Sequence, residues 1–353
     1  MAQGPKHIMI ERTLVAPIII LTAIAVSAAL HLSAAVFAPV ACALFIIAIV
    51  WPLQRSLQSR LPQLFALAVV VCAVVLVFII FASAATWGFG RIGRSVIADS
   101  ARFQTLYDQL AEWLEGHGII VASVWTENFN MSWVVRILQG AAARLNVMIS
   151  FWIVVLVYVL LGLLDTEAVA RKAHTALSPM AARVLIDGSA LTASKLRRFL
   201  LVRTIMSLAT GLMVWALSAA FGLRFAAEWG VIAFTLNYIP FIGPFVATLL
   251  PTLYALAQFG SPQSAAFIFA CMNVIQFIIG SYIEPRVAGY ALAISPFIVL
   301  FSVFFWMFLW GLFGAFIGVP ITIAILTYCS QSSSTMWIAQ LLGSPPEAGD
   351  EGV

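Results

Sequence analysis

Across 353 residues the chain carries only 9% charged residues against 63% hydrophobic ones, with a mean hydropathy of +1.06. A water-soluble domain normally spends about 25% of its residues on charge, so a soluble globular protein is excluded. The net charge of +4 does not mark a nucleic-acid binder, because Lys and Arg fall between apolar segments and form no single patch.

Taken in chain order, apolar runs lie near 14–32, 35–53, 62–88, 146–164, 199–222, 229–259, 263–283 and 294–329. A span needs ~20 apolar residues to cross a ~30 Å hydrocarbon core. Between Glu228 and Glu284, and again from Val287 to Pro346, there is no Asp, Glu, Lys or Arg. Long continuous runs select helices over a closed barrel, whose strands would alternate. The expected fold is all-α: a polytopic membrane protein of about eight transmembrane helices, with broken or re-entrant segments in the C-terminal half. The first run reads as a retained anchor and not a cleaved signal.

Four regions follow from the spacing of the runs. Residues 1–88 form an N-terminal three-helix membrane region, and 89–145 an external one. Residues 146–343 form a C-terminal transport region with a charged link at 165–198, and 344–353 a disordered tail. In the external region Phe103, Leu106, Tyr107, Leu110, Trp113 and Leu114 recur at helical spacing, as do Trp133, Val134, Ile137, Leu138 and Ala141. Two amphipathic helices are expected there. Lys6 and Arg12, Arg55 and Arg60, and the link with Arg171, Lys172, Arg183, Lys195, Arg197 and Arg198 fall on one side if the spans alternate. The positive-inside rule puts that side, with both termini, in the cytoplasm.

The four cysteines lie in apolar runs without paired spacing and are expected to be small buried hydrophobes. There is no P-loop, no GxSxG and no HExxH among the scattered histidines, so no enzyme, cofactor or metal site is expected.

Three constellations carry the functional reading. The first is NYIPFIGP, Asn237 to Pro244, inside an apolar run. Proline removes a backbone donor and clashes with the carbonyl four residues back. In lipid the freed carbonyls need protein, water or cargo as partner, which makes Asn237, Tyr238, Pro240, Gly243 and Pro244 candidate substrate-binding residues; a packing kink is the alternative. The second is FIGVP, with Gly318 and Pro320, after Gly311 and Gly314. Two Gly/Pro-broken segments point to a midplane transport site, although these glycines equally suit close helix packing. The third is Glu284-Pro285-Arg286, the only charged group between Trp229 and Pro346. Glu284 and Arg286 are open to three readings: a membrane-edge turn, a buried pair, or an ion-coupling site.

IEPRVAG (Ile283 to Gly289) followed by SPFIVLFSVFFWMFLWGLFGAFIGVPIT (Ser295 to Thr322), together with NYIPFIGP, resembles the signature stretches of the autoinducer-2 exporter family of bacterial inner-membrane proteins. The layout of the front half, with WPLQRSLQSRLP (Trp51 to Pro62) ending the second span, is similar too. The resemblance implies export of a small polar signalling molecule, of the autoinducer-2 kind used in quorum sensing, across the inner membrane. It also implies homo-oligomeric assembly. GYALAISP (Gly289 to Pro296) departs from the family, which often carries a charged or polar residue there. Some relatives are credited with sodium–proton exchange, so a cation/proton antiporter using Glu284 or Asp165 stays open. A non-transporting scaffold binding partners through its external helices is the third alternative.

Overall fold

A computed structural model describes residues 5–99, 101–102, 104–105, 131–176, 178–288, 294–332 and 334–343. The first of the two external amphipathic helices, the GYALAISP spacer and the C-terminal tail lie largely or wholly outside these residues. The second external stripe falls within a helix whose side chains there are not described.

The chain is all-α. Helices α1 (Pro5–Leu32), α2 (Ala34–Gln58), α3 (Gln63–Ala98), α4 (Met131–Ala176) and α5 (Pro179–Ala220) are followed by α6 (Ala226–Leu236), α7 (Ile242–Phe259) and α8 (Pro262–Gln276). α8 continues through π-helical turns, Phe277–Ile283, into α9 (Glu284–Ala288); α10 (Pro296–Ser330) and α11 (Met336–Leu342) complete the described residues. Among the described residues seven stretches are long and apolar enough to cross a bilayer, and α6 and the 17–32 part of α1 are shorter apolar helices. Helices satisfy every backbone group internally, as hydrocarbon demands. Their outer faces are accordingly greasy: Ile18 to Leu21, Leu76, Val77, Phe267 and Phe308 are all exposed. The cysteines do not share one environment. Cys42 is buried, but Cys72 is exposed and Cys271 and Cys329 are half-buried, because an apolar thiol on a span is stable facing lipid as well as core.

Two expected single spans prove to be helical hairpins. The 229–259 run turns back between Leu236 and Ile242, and α6 and α7 pack antiparallel. Tyr254, late in α7, meets Phe225 and Trp229 at the start of α6, with ring centroids 5.7 Å apart in each case. Gln258 ties the open end together, accepting from the Arg224 N–H at 2.8 Å and donating to the Gly222 carbonyl at 2.8 Å. The 294–329 run folds back in the same way at Trp310 and Gly311. Gly311 there has φ 64°, ψ −144°, a backbone that only glycine adopts without cost. The arms 296–309 and 312–330 lie side by side, joined by a Ser302–Thr322 hydroxyl bond of 2.6 Å. The interruption expected at FIGVP therefore sits several residues earlier. Pro320 is carried inside the second arm without non-helical φ/ψ.

The charged link is two helical arms. α4 runs on to Ala176, and α5 starts at Pro179 behind the N-cap Ser178, whose hydroxyl accepts the Ala181 N–H at 3.3 Å. α5 then continues unbroken to Ala220, so the link and the fifth span are one rod. It crosses α6 closely, because Gly211 and Gly230 face each other: a Cβ on either would lie 2.8 Å from the other's carbonyl oxygen. Small residues permit such backbone approach in membranes. α5 also repairs α2. Pro52 has no N–H to give the Ala48 carbonyl four residues back, and Arg197 donates to that oxygen at 2.9 Å. Arg197→Ala is expected to lower stability by about 1 kcal/mol, the low end of the cost of an orphaned acceptor because this one is half-buried, measured as thermal unfolding in detergent. Arg197→Lys should recover part of it.

Candidate functional site

The tip of the α6–α7 hairpin packs against the arms of the α10 hairpin, below its turn. Ile239, in the turn between α6 and α7, is buried with Phe45 of α2, Leu196 of α5 and Val303, Ala315, Val319 and Ile323 from both arms of α10. Tyr238 lies with its ring centroid 6.1 Å from that of Phe316. Thus the NYIPFIGP and FIGVP segments, separate in sequence, come together.

The first tip is built from its prolines. The carbonyls of Leu236, Ile239 and Pro240 accept from the N–H groups of Ile239 (2.9 Å), Gly243 (2.9 Å) and Ile242 (2.7 Å). The partners that the sequence demands for the broken helix are thus supplied by the turn's own backbone. The Pro240–Ile242 bond makes Phe241 the centre of a γ-turn with φ 62°, ψ −53°, a rare and strained form. Pro240 and Gly243 are buried and Pro244 half-buried in the first turn of α7. A Cβ on Gly243 would fall on the Leu236 carbonyl.

Side chains at this tip reach α5. Asn237, 4% exposed, donates through Nδ2 to Ser207 Oγ at 3.2 Å. The Tyr238 hydroxyl donates to Thr204 Oγ1 at 3.0 Å, with its ring edge-on to Phe81 and Phe234. At ~1.5 Å per residue Ser207 lies about 20 Å along α5 from Ala220 and about 13 Å from Arg198, so this contact is inside the bilayer. On the same helix Thr192, Arg203, Ser207, Thr210 and Ser218 are all buried. Their spacing puts them on one face of α5. The Thr192, Thr210 and Ser218 hydroxyls have no partner among the described residues.

Glu284 is neither a plain edge turn nor paired with Arg286. Its Oε1 takes Arg203 Nη1 at 2.7 Å, with side-chain exposures of 26% and 6%. Arg286 is exposed and lies over the Tyr282 ring, 3.5 Å from its centroid. A buried carboxylate at the start of α6, Glu228, holds Arg91 at 2.6 Å. Gly318 serves packing: its added Cβ would sit 3.0 Å from the Ser302 carbonyl and from the Trp306 ring. Pro320 is buried in the same arm.

The α10 tip is capped by α1. Trp310 Nε1 donates to the Leu30 carbonyl at 3.1 Å, and His31 Nδ1 lies 3.1 Å from the Leu309 carbonyl. Since a carbonyl only accepts, that nitrogen carries the proton. Each bond satisfies an acceptor that a helix end leaves open.

Sequence reasoning missed Arg203, Thr204, Ser207 and Thr210. A signal was present. Arg203 is the only charged residue in the 199–222 run, and Ser207 and Thr210 follow it at helical spacing, the pattern of a polar face inside a span.

Two broken hairpins that meet within the bilayer, against the polar face of a long helix, define a multi-pass helical membrane protein of the transporter class. The chain belongs to the AI-2E family of transporters, whose family model matches residues 14–333. It is 28% identical over 317 residues to the AI-2 transport protein TqsA of Escherichia coli K12, covering 89% of this chain and 91% of that one. A putative transport protein of Haemophilus influenzae Rd is 25% identical over 350 residues, with coverages of 96% and 98%. The putative transport protein YhhT of Escherichia coli K12 is 32% identical over 145 residues, 41% of each chain.

Proposed function

We propose that this transporter is a secondary exporter of a small polar solute across a bacterial inner membrane, working as a homo-oligomer with both termini in the cytoplasm. The observation that carries the reading is the contact of Asn237 and Tyr238 with the polar face of α5, deep in the span. Cargo passing there would exchange hydrogen bonds with Asn237, Tyr238, Ser207 and Thr204. Pro240, Gly243 and Pro244 shape the turn that presents those groups, and Gly318 and Pro320 hold the opposing arm. In this conformation Ile239 and Tyr238 close against α10, so transport requires the two hairpins to part. The chain carries no nucleotide-binding motif, which leaves gradients as the energy source. The autoinducer-2 named for TqsA is the first solute to try.

The antiporter alternative is weaker on geometry. It needs an embedded carboxylate free to bind a cation, yet of its two candidates Glu284 is held against Arg203 and Asp165 is exposed. Export is tested by uptake of labelled autoinducer-2 into everted membrane vesicles. Asn237→Ala is expected to cut initial uptake about two- to tenfold, the effect of deleting a neutral site hydrogen bond of about 0.5–1.5 kcal/mol, with protein level unchanged. Uptake equal to the unaltered protein would remove the hairpin tip from the solute path.

A further inference from the structure

We infer that the solute is an oxyanion, a carboxylate or a phosphate, and that the side edge of the Arg203 guanidinium is its recognition element. This rests on the transport reading above and names the substrate class of that same site; it departs from autoinducer-2, which carries neither a carboxylate nor a phosphate. Arg203 is buried, with its side chain 6% exposed. A guanidinium offers five donors in a rigid plane, and its Nε and Nη2 N–H groups point the same way, matching two oxygens of a carboxylate or phosphate. Here Nη1 alone is spent, on one oxygen of Glu284. Nε and Nη2 are buried without any partner among the described residues. A structural ion pair built for the fold would use that two-pronged edge, the strongest geometry an arginine has. Instead Glu284 takes the end nitrogen and the edge is left over.

The surroundings favour an anion on that edge. Thr204 and the Tyr238 hydroxyl bonded to it follow in sequence and space, then Ser207 with Asn237 one turn further along α5. These groups can donate to the remaining oxygens of a bound solute. Toward the basic end of α5, Lys195, Arg197 and Arg198 precede Arg203 within a few turns, and Arg286 lies just beyond Glu284. That excess of positive charge raises the local concentration of anions. Among the described residues Glu284 is the one negative group in contact with Arg203. It competes with an anion for the same cation and sets how tightly the anion is held.

The test is isothermal titration of the full chain in lipid nanodiscs, at constant sodium and ionic strength, with sodium phosphate, sodium acetate and glycerol. At least one oxyanion is expected to bind saturably, and glycerol is not. Saturation by phosphate alone identifies a phosphorylated solute, and by acetate alone a carboxylate. Arg203→Lys keeps the charge but loses the planar edge, and should weaken the binding about tenfold or more. Glu284→Gln keeps an oxygen for Nη1 while removing the competing charge, and should tighten it several-fold. Equal affinity in Arg203→Lys, unchanged or weaker affinity in Glu284→Gln, or saturation by glycerol alone would overturn the assignment. The Glu284→Gln arm stands even where Arg203→Lys does not fold. Absence of oxyanion binding alongside Asn237-dependent uptake of a neutral solute would remove the anion class and leave the transporter reading intact.

Discussion

Glu284→Ala is expected to destabilise the folded bundle by about 3 kcal/mol, whereas the double variant Arg203→Met/Glu284→Leu should lose far less. Removing one member of a buried ion pair leaves the other charge without compensation, typically a cost of about 3–5 kcal/mol. The lower end applies because Glu284 retains 26% side-chain exposure and its replacement admits some water. Replacing both charges by apolar side chains of similar length removes the desolvation cost together with the attraction, which is often close to neutral. Thermal unfolding of purified protein in one detergent, run as a double-mutant cycle, separates the two. The prediction fails if the single and double variants lose the same stability, which would mean that Arg203 reaches water when Glu284 is gone. Uptake should be lost in both, because the guanidinium is absent from the double variant and misplaced in the single. Stability and transport then respond differently to the same pair of residues.

The pair also explains why the sequence reading of Glu284 stayed open. Its partner lies eighty-one positions earlier, on another helix, and nothing in local spacing links the two. What sequence patterning does report is the cost side of the membrane problem. A single Arg in a span, two prolines in an apolar run, or glycines clustered near a chain end each break the rule that hydrocarbon imposes, and each marks a place where structure must compensate. All-α architecture and breaks in the C-terminal half were legible for that reason. The route of the chain through each break was not, since a kinked span and a hairpin have the same composition. Distinguishing them takes the antiparallel contacts themselves, such as Tyr254 against Phe225 or Ser302 against Thr322.

The same limit misplaced the second break. FIG occurs at Phe241–Gly243 and again at Phe316–Gly318, which invites an equation of the two. In three dimensions the counterpart of Gly243 is Gly314: an added Cβ on Gly243 would fall on the Leu236 carbonyl, and one on Gly314 on the Trp306 carbonyl. Each glycine begins the return arm directly over the last carbonyls of the outgoing one.

Substitutions at four glycines should therefore rank in a definite order. Gly243→Ala and Gly314→Ala are expected to cost the most, about 2–3 kcal/mol each or more, because a backbone carbonyl cannot step aside as a side chain can and the turn itself must open. Gly318→Ala should cost less: its Cβ meets the Ser302 carbonyl and the Trp306 side chain at 3.0–3.1 Å, a crowding of a few tenths of an ångström that the indole can partly relieve. Gly280→Ala, with nothing within 4 Å of the new methyl, should stay within about 0.5 kcal/mol of the unaltered protein. Thermal midpoints of the four variants in one detergent give the ranking directly. If Gly318→Ala proved more damaging than Gly314→Ala, the turn would lie at FIGVP and the α10 hairpin described above would be wrong. The expected order places it at Trp310 and Gly311, where α1 caps it through Leu30 and His31. Parting the hairpins for transport would then require α10 to release α1 or carry it along.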